Sequence, residues 1–269
     1  MPELRLLTFN AGLLRAAGGL LQPAPFVNQR REALPHALGT TGADVIVLQE
    51  VYDGRSRAAI AAAFPHVSLP ARTTRRLALQ NGLMVASRQP LRTAFHRFRA
   101  GTLEERLFDR KGFSVTELQS LTIVNFHTTA GGLRRHPEDP LVERIRGRQI
   151  DEMLRVLDSA AACVLAGDLN AGPGVSETNY RQLERAGFVD AWALHHPGSD
   201  GATWDPANPL NAGGPHQTSP PQRCDHIFLR GPVTALSSEI VLTEPIVDTG
   251  GRRVTLSDHY GLTAMLAFG

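Results

Sequence analysis

The feature that most constrains the fold is a series of short apolar runs, many of them β-branched, that recur along the whole chain. Runs of this length and composition predict β-strands. The predicted strands are Leu4–Asn10, Val45–Gln49, Gly82–Ser87, Gly112–Leu118, Leu121–His127, Cys163–Gly167, Cys224–Leu229, Leu236–Leu242 and Tyr260–Ala267. The predicted helices are Asn28–Leu38, Ser56–Phe64, Pro140–Leu157 and Ser176–Ala186. Many strands with few helices between them favour an α/β sandwich over an all-β barrel or a helical bundle.

Length and composition narrow the class of protein further. The chain has 269 residues without a repeat or an evident linker, so we expect a single domain over residues 1–269. An apolar content of 42% with 20% charged residues excludes wholesale disorder. No apolar run approaches the ~20 residues that span a bilayer, and the N-terminus lacks a signal-peptide pattern. The sequence therefore predicts a cytoplasmic protein, with Cys163 and Cys224 as reduced thiols in the core.

Polar residues that can carry chemistry follow the apolar runs directly. They are Asn10, Gln49-Glu50, His127, Gly167-Asp168-Leu169-Asn170, Asp225-His226 and Asp258-His259. One such residue alone is typical of a turn or a helix cap, but strands that all end in this way can bring their polar groups to one rim of a sheet. Oxygen ligands from Glu, Asp and Asn suit Mg²⁺, which keeps several waters free for a substrate phosphate. Zinc spacing of Cys and His is absent from the sequence.

Six motifs, taken in their order along the chain, resemble those of the endonuclease/exonuclease/phosphatase superfamily. The motifs are Thr8-Phe9-Asn10, Leu48-Gln49-Glu50-Val51, Asn125-Phe126-His127, Gly167-Asp168-Leu169-Asn170, Arg223-Cys224-Asp225-His226-Ile227 and Ser257-Asp258-His259. The superfamily includes DNase-like nucleases, abasic-site endonucleases, inositol-polyphosphate phosphatases and neutral sphingomyelinases. The resemblance implies a four-layer α/β sandwich, in which helices flank two packed mixed β-sheets. It also implies a phosphodiesterase that uses Mg²⁺, for which Mn²⁺ can substitute.

The resemblance implies a metal site at the ends of the first strands. Glu50 is expected to be the principal Mg²⁺ ligand, with Asn10 beside it in contact with metal or phosphate. Asp258 is expected to complete the metal shell or its water network. The chain departs from the family at His226, where a Tyr usually follows the Asp, and this leaves His226 without an assigned role.

The resemblance also implies the catalytic groups. His259 resembles the general base that takes a proton from the attacking water, and Asp225 the carboxylate that orients its imidazole. Asp168 and Asn170 would position the water and bind phosphoryl oxygens, and His127 would donate to a non-bridging oxygen. In-line attack on phosphorus would then invert its configuration without a covalent enzyme intermediate.

Several short segments favour the neutral sphingomyelinase-like branch. They are Arg110-Lys111-Gly112-Phe113, Thr203-Trp204-Asp205-Pro206, Asn208-Pro209-Leu210 and Thr243-Glu244-Pro245. Arg110 and Lys111, the one lysine of the chain, are the candidate substrate-binding residues. A phospholipid headgroup is the favoured substrate and peripheral membrane contact stays open. The alternatives are a DNA or RNA nuclease of the same superfamily and an inactive lipid- or protein-binding module. The net charge of +2 gives no general footprint for nucleic acid, and the oligomeric state is not indicated.

Four further segments have two interpretations each. Ala11–Val27 is either a lid beside the metal or a segment packed on the rim, and the second is favoured. The arginine-rich segments Arg72–Arg76 and Arg97–Arg110 either bind phosphates or form solvated faces. Gly198–Pro221 is predicted to be a long surface loop, which is either functional or disordered.

Overall fold

The computed structural model describes residues 1–14, 24–69, 81–107, 110–131, 136–212 and 218–269. The interpretation of Arg72–Arg76 lies outside these ranges, as does that of residues 15–23 within Ala11–Val27. The strands are β1 (Glu3–Leu13), β2 (Val45–Val51), β3 (His66–Ser68), β4 (Met84–Ser87), β5 (Arg92–Arg97), β6 (Gly112–Leu118), β7 (Leu121–His127), β8 (Cys163–Asp168), β9 (Val189–Asp190), β10 (Asp225–Arg230), β11 (Val233–Val241), β12 (Val247–Asp248), β13 (Arg253–Val254) and β14 (Gly261–Phe268). The helices are α1 (Val27–Thr40), α2 (Gly54–Ala61), α3 (Leu103–Leu107), α4 (Pro140–Val156), α5 (Glu177–Arg185) and α6 (Ala191–His195). Among these helices, none has the length and apolar character needed to cross a membrane.

The strands form two mixed sheets of six strands each. The first has the order β11-β14-β1-β2-β4-β3 and the second the order β5-β6-β7-β8-β10-β9. In each sheet one pair is parallel, β1 with β2 and β7 with β8, and the remaining pairs are antiparallel. A separate hairpin pairs β12 with β13. With helices packed on the outer faces, the architecture is the predicted four-layer α/β sandwich, and the fold class is confirmed.

Three apolar layers hold the sandwich together. The central layer lies between the sheets and takes one face of each, with Leu6 of β1 and Ile123 of β7 among its members. A second layer packs α1 and α2 against the first sheet, and a third packs α4 and α5 against the second. Because both faces of the central strands are covered, those strands are apolar on both sides, which is why their runs read as continuous in the sequence.

The sequence misses the elements with the fewest buried residues. None of the residues of Arg92–Arg97 is fully buried and the sequence RTAFHR does not alternate regularly between polar and apolar residues, so the sequence does not predict this strand. Its last residue, Arg97, begins the predicted arginine-rich segment. The two-residue strands and the five-residue helices α3 and α6 are too short to show a period. The described residues of Gly198–Pro221 are 198–212 and 218–221, and they form no helix or sheet strand, as predicted. Thr203 and Asn208 among them are fully buried, and residues 213–217 lie outside the described ranges. Cys163 and Cys224 are free and buried, as expected.

Candidate active site

Alternation of side chains along the strands turns the predicted site residues toward the space between the sheets. In β1, Leu6 packs between the sheets, so Asn10, an even number of residues further on, faces the same side. In β7, Ile123 packs between the sheets, so His127, also an even number of residues further on, faces the same side. The same parity applies to Asp168 in β8 and Asp225 in β10.

Strand direction then brings these side chains to one rim of the sandwich. The parallel pairs β1–β2 and β7–β8 end at this rim, whereas the antiparallel β10 and β14 begin there. Asp225 is the register partner of Asp168, and the loop that carries Asp258 and His259 leads into β14. Six motifs that are far apart in the sequence therefore meet at one edge.

Glu50 reaches this rim through an unusual backbone conformation. Val45 and Val47 of β2 pack between the sheets, so regular alternation would turn Glu50 to the opposite face. Its φ of 57° interrupts the alternation, and Oε1 comes to lie 3.5 Å from Nδ2 of Asn10. A non-glycine residue in the left-handed region costs of order 1 kcal/mol or more and is typical of functional sites.

The Asn10 amide connects the two sheets at the rim. Its Nδ2 donates to Oδ2 of Asp168 at 2.8 Å and faces Glu50, while its Oδ1 accepts from the backbone N of Gly12 at 3.0 Å. Nε2 of His127 lies 3.6 Å from Asp168 Oδ2 and 3.8 Å from Glu50 Oε1. Asn10, Glu50, His127 and Asp168 thus form one continuous polar cluster, as their common rim predicts.

His127 is in contact with the lysine. Nζ of Lys111 lies 2.9 Å from Nε2 of His127 and donates to the carbonyl of Thr128 at 2.8 Å. Because an ammonium only donates, Nε2 of His127 accepts and its proton is on Nδ1. Burial, with the nearby Lys111 charge, lowers the pKa of His127 well below its ordinary value, which keeps the imidazole neutral. In this arrangement Lys111 supplies the positive charge beside His127.

His259 and Asp225 form a buried pair on the other side of the cluster. Nδ1 of His259 donates to Oδ2 of Asp225 at 2.8 Å, which leaves Nε2 as the other ring nitrogen. Burial opposes the imidazolium charge, but the Asp225 carboxylate outweighs it and raises the pKa of His259 well above its ordinary value. A histidine held by a carboxylate through one nitrogen can exchange a proton with substrate or water through the other.

Asp168 lies between the two halves of the site. Ligand atoms of Asp168, Asp225 and His259 all lie within 4.8 Å of one another. Oδ1 of Asp168 accepts from the backbone N of Asn170 at 2.8 Å, and Nδ2 of Asn170 donates to the Thr128 carbonyl at 3.2 Å. Burial, and then the Asp225 carboxylate, raise the pKa of Asp168.

Asp258 lies against the turn that follows Asn10. Gly12 has a φ of 55°, and a Cβ there would overlap Oδ1 of Asp258. Oγ of Ser257 lies 3.1 Å from Asp258 Oδ1 and 2.7 Å from the Asn10 carbonyl. Burial, with the Asp258 charge second, raises the pKa of Glu50 to about 7. The Asp258 charge is therefore close enough to oppose the ionisation of Glu50.

The donor set fits a hard divalent cation. The ligand types are carboxylate and amide oxygens. Burial and then the Asp258 charge raise the pKa of Glu50, and a bound cation would favour its ionised form. Within the described residues, Oδ1 of Asp225 is buried and accepts no hydrogen bond, so this oxygen is available as a ligand. Arg110 was also predicted to bind substrate. In the part of the chain that the structure describes, it makes no contact with these groups.

Thr203 is a structural support of the site that the sequence did not assign. Oγ1 of Thr203 accepts from the backbone N of Asp225 at 3.1 Å, and the Thr203 carbonyl accepts from the N of Tyr260 at 2.6 Å. Thr203 therefore fixes the strands that carry both members of the histidine–carboxylate pair. The only signal for it was its place in a segment attributed to substrate preference.

His226, the departure from the family pattern, is a buried structural residue. Nδ1 lies 3.3 Å from Oδ2 of Asp190 and Nε2 lies 2.9 Å from the carbonyl of Ala171. The hydroxyl of Tyr180 donates to the same Asp190 oxygen at 2.9 Å. His226 thus supports the segment after Asn170 from behind and does not face the rim.

Comparison with protein families decides the classification. Residues 7–259 match the Endonuclease/Exonuclease/phosphatase family. The chain belongs to this family. Membership makes it a phosphodiester-hydrolysing enzyme. A search of curated proteins found no match.

Solved structures with the same fold cover nearly the whole chain. A beta toxin from Staphylococcus aureus superposes with a TM-score of 0.80 at 21% identity, covering 97% of this chain and 99% of that one. A variant of the beta toxin with bound magnesium ions gives 0.76 at 19%, with 98% and 99% covered. Sphingomyelinase C from Streptomyces griseocarneus gives 0.73 at 24%, with 98% and 99% covered. TDP2 from D. rerio, complexed with a single-strand DNA product, gives 0.73 at 18%, with 99% and 100% covered. At these identities the likeness establishes the fold.

Proposed function

We propose that the chain is a Mg²⁺-dependent phosphodiesterase in which a water molecule activated by His259 attacks phosphorus in line. The observation that carries the proposal is the pair of His259 Nδ1 and Asp225 Oδ2 at 2.8 Å, set within 4.8 Å of a third ligand group, Asp168. A base oriented in this way, next to a group of carboxylates, is the arrangement that metal-assisted hydrolysis requires.

The metal site is assigned to the side of the rim that carries Glu50. Glu50, Asn10 and Asp258 would hold Mg²⁺, because Glu50 lies beside Asn10 and close to the Asp258 charge, and carboxylate and amide oxygens are the hard donors that this ion prefers. When bound, Mg²⁺ supplies positive charge that stabilises the phosphoryl oxygens as negative charge develops on them. A neighbour of the same fold, the beta toxin variant, was solved with bound magnesium ions, which supports this choice of ion.

The chain's own residues carry the remaining steps. His259 Nε2 takes the proton of the attacking water, and Asp225 holds the ring so that Nε2 faces it. Asp168 and Asn170 orient the water and the phosphoryl group. Lys111, rather than the neutral His127, donates to a non-bridging oxygen, since it is the cation at this end of the rim. The P–O bond to the leaving group breaks opposite to the incoming water, and phosphorus is inverted.

For the substrate we propose a phospholipid headgroup, of sphingomyelinase or phospholipase C type. Lys111 supports this choice because its segment is similar to that of sphingomyelinases and its ammonium lies in the site. One neighbour of the same fold is a sphingomyelinase C. The second candidate is a nuclease, favoured by the likeness to TDP2 with a single-strand DNA product and by the exposed Arg92 and Arg97 on the edge strand β5.

A substrate panel tests both candidates. Purified enzyme is incubated with sphingomyelin, phosphatidylcholine, plasmid DNA, oligoribonucleotides and inositol phosphates, with Mg²⁺ or with a chelator. We expect Mg²⁺-dependent release of the phosphorylated headgroup from sphingomyelin, no nicking of plasmid DNA, and a loss of about 100-fold or more in His259→Ala. Nicking without lipid hydrolysis would transfer the proposal to the nuclease. Turnover that survives the chelator would refute the metal assignment.

A further inference from the structure

Arg30 is a buried arginine of α1 that lies behind the metal side of the rim. Its side chain is 1% exposed. Nε donates to the carbonyl of Leu256 at 2.7 Å and Nη1 to that of Pro25 at 3.1 Å. Nη2 donates to the carbonyls of Ala11 at 2.6 Å and Gly12 at 3.0 Å. Burying a guanidinium against neutral carbonyls is costly, so the contacts that it makes have a structural consequence.

The carbonyls that Arg30 binds flank the proposed metal ligands. Ala11 and Gly12 directly follow Asn10, and Leu256 lies two residues before Asp258. Within the described residues, no carboxylate lies within ion-pair distance of the guanidinium. Arg30 is therefore occupied by the backbone of the two segments that must keep a fixed spacing for Asn10 and Asp258 to bind one ion. Ser257 Oγ makes a second link between the same segments, at 2.7 Å from the Asn10 carbonyl.

We infer that Arg30 is a positioning residue for the metal site: its guanidinium sets the distance between the segment of Asn10 and the segment of Asp258. The inference rests on the proposed function insofar as it takes these two residues as metal ligands. Arg30 binds neither metal nor substrate. It acts on affinity by holding the ligands in the arrangement that the ion needs.

A positional role and a purely electrostatic role predict opposite effects. The positive charge of Arg30 opposes the approach of a cation, so a substitution that only removed this charge would tighten Mg²⁺ binding. If the fork of donors positions the ligands, the same substitution loosens the site and weakens binding. Lysine keeps the charge but has one ammonium group and cannot reproduce the planar fork that joins three segments. Arg30→Lys and Arg30→Met should therefore both weaken Mg²⁺ binding.

The test measures Mg²⁺ affinity without relying on turnover. The full-length wild type, Arg30→Lys and Arg30→Met are titrated with MgCl2, and affinity is obtained from the rise in Tm. We expect both variants to bind Mg²⁺ about 10-fold more weakly or worse, the size of effect seen when groups supporting metal ligands are removed. Hydrolysis of bis(p-nitrophenyl) phosphate is measured separately, as a test of the proposed function alone.

Arg230→Met is the matched control. Arg230 also donates to a carbonyl, that of Leu157 at 2.7 Å, and packs over a ring, with its guanidinium 4.7 Å from the Phe188 centroid, but it lies at the far end of β10. We expect this variant to lower Tm while leaving Mg²⁺ affinity unchanged. An equal loss of affinity in Arg230→Met would show that general destabilisation is sufficient, and would overturn the inference.

Each remaining outcome also decides. Unchanged affinity in both Arg30 variants, or tighter binding in Arg30→Met, overturns the positional role, and so does a wild type whose Tm does not respond to MgCl2. A wild type that binds Mg²⁺ but hydrolyses no phosphodiester refutes the proposed function and leaves the positional role to be judged by affinity alone. If the Arg30 variants do not fold, Ser257→Ala cuts the second link at little cost in volume. Weaker Mg²⁺ binding in Ser257→Ala supports the inference, and unchanged binding overturns it.

Discussion

Replacing Glu50 with glutamine should stabilise the metal-free protein at alkaline pH. Burial and the neighbouring Asp258 charge raise the pKa of Glu50 to about 7 from an ordinary value of 4.5. Because the folded state holds this proton more tightly than the unfolded state, stability falls as pH rises from about 4.5 to about 7. The difference of about 2.5 pH units corresponds to at most about 3 kcal/mol of destabilisation above pH 7. The Glu50 side chain is 24% exposed, so this figure is an upper bound.

Thermal unfolding with EDTA at pH 5, 6, 7 and 8 measures this effect. Glutamine cannot ionise, so Glu50→Gln should match the wild type at pH 5 and exceed its Tm at pH 8 by up to roughly 6–12 °C, given about 2–4 °C per kcal/mol for a chain of this size. Saturating MgCl2 should reverse the order, because the wild type gains binding energy and the variant lacks the ligand. Glu3→Gln, at an exposed carboxylate near the start of β1 and at the opposite end of that strand from Asn10, serves as the control and should show neither effect.

Two results would refute the argument from the raised pKa of Glu50, and a third would contradict its assignment as a metal ligand. A Glu50→Gln variant no more stable than the wild type at pH 8 in EDTA would mean that the carboxylate is not destabilised by its surroundings. A gain of the same size at pH 5 and pH 8 would mean that the effect does not come from ionisation. A Tm of Glu50→Gln that rises with MgCl2 as much as that of the wild type would contradict the assignment of Glu50 as a metal ligand.

Three further substitutions test other parts of the site. Asp225→Asn removes the charge that raises the pKa of His259. The acidic limb of the pH–kcat profile should therefore shift to lower pH, and kcat should fall about 100-fold or more. An acidic limb that does not shift would exclude His259 as the titrating base. Lys111→Met should reduce kcat on a phosphodiester by about 100-fold, with Lys111→Arg restoring part of it, since the ammonium supplies the positive charge beside His127; equal activity of Lys111→Met and wild type would exclude this role. His226→Ala should destabilise the fold by about 2–4 kcal/mol in urea unfolding, because it removes a fully buried imidazole together with its contacts to Asp190 and the Ala171 carbonyl, with little change in Mg²⁺ affinity; a large loss of affinity would place His226 in the site itself.

Much of the site could be predicted because its information is local. A polar residue directly after a buried strand lies at the strand's end whatever the rest of the fold does, and the two-residue period fixes the face on which it lies. His127 and Asp168 end their strands, Asp225 begins β10 and Asn10 lies within β1, and the period places all four on the face between the sheets. The residues carried by the resemblance, their order and the two-sheet architecture therefore needed no tertiary contact to be expected.

Other features depend on contacts between segments far apart in the chain. Glu50 reaches the rim only through a left-handed backbone, which no periodicity predicts. Burial and then the charge of Lys111, which directly precedes the neighbouring strand β6, lower the pKa of His127 and keep it neutral. An arginine in a helix is ordinarily expected at the surface. Arg30 is buried only because α1 packs behind the first sheet.

By itself, then, the sequence determined which side chains stand at strand ends and which family they resemble, because alternation and chain order are properties of short segments. The tertiary structure decided how those ends are spaced, since the distance between two sheets depends on side chains that fill the layer between them. Charge is the clearest case: burial and the Asp258 charge raise the pKa of Glu50 to about 7, and the Asp225 carboxylate raises the pKa of His259 against the opposing effect of burial. Neither effect exists until the sheets pack and water is excluded from the rim.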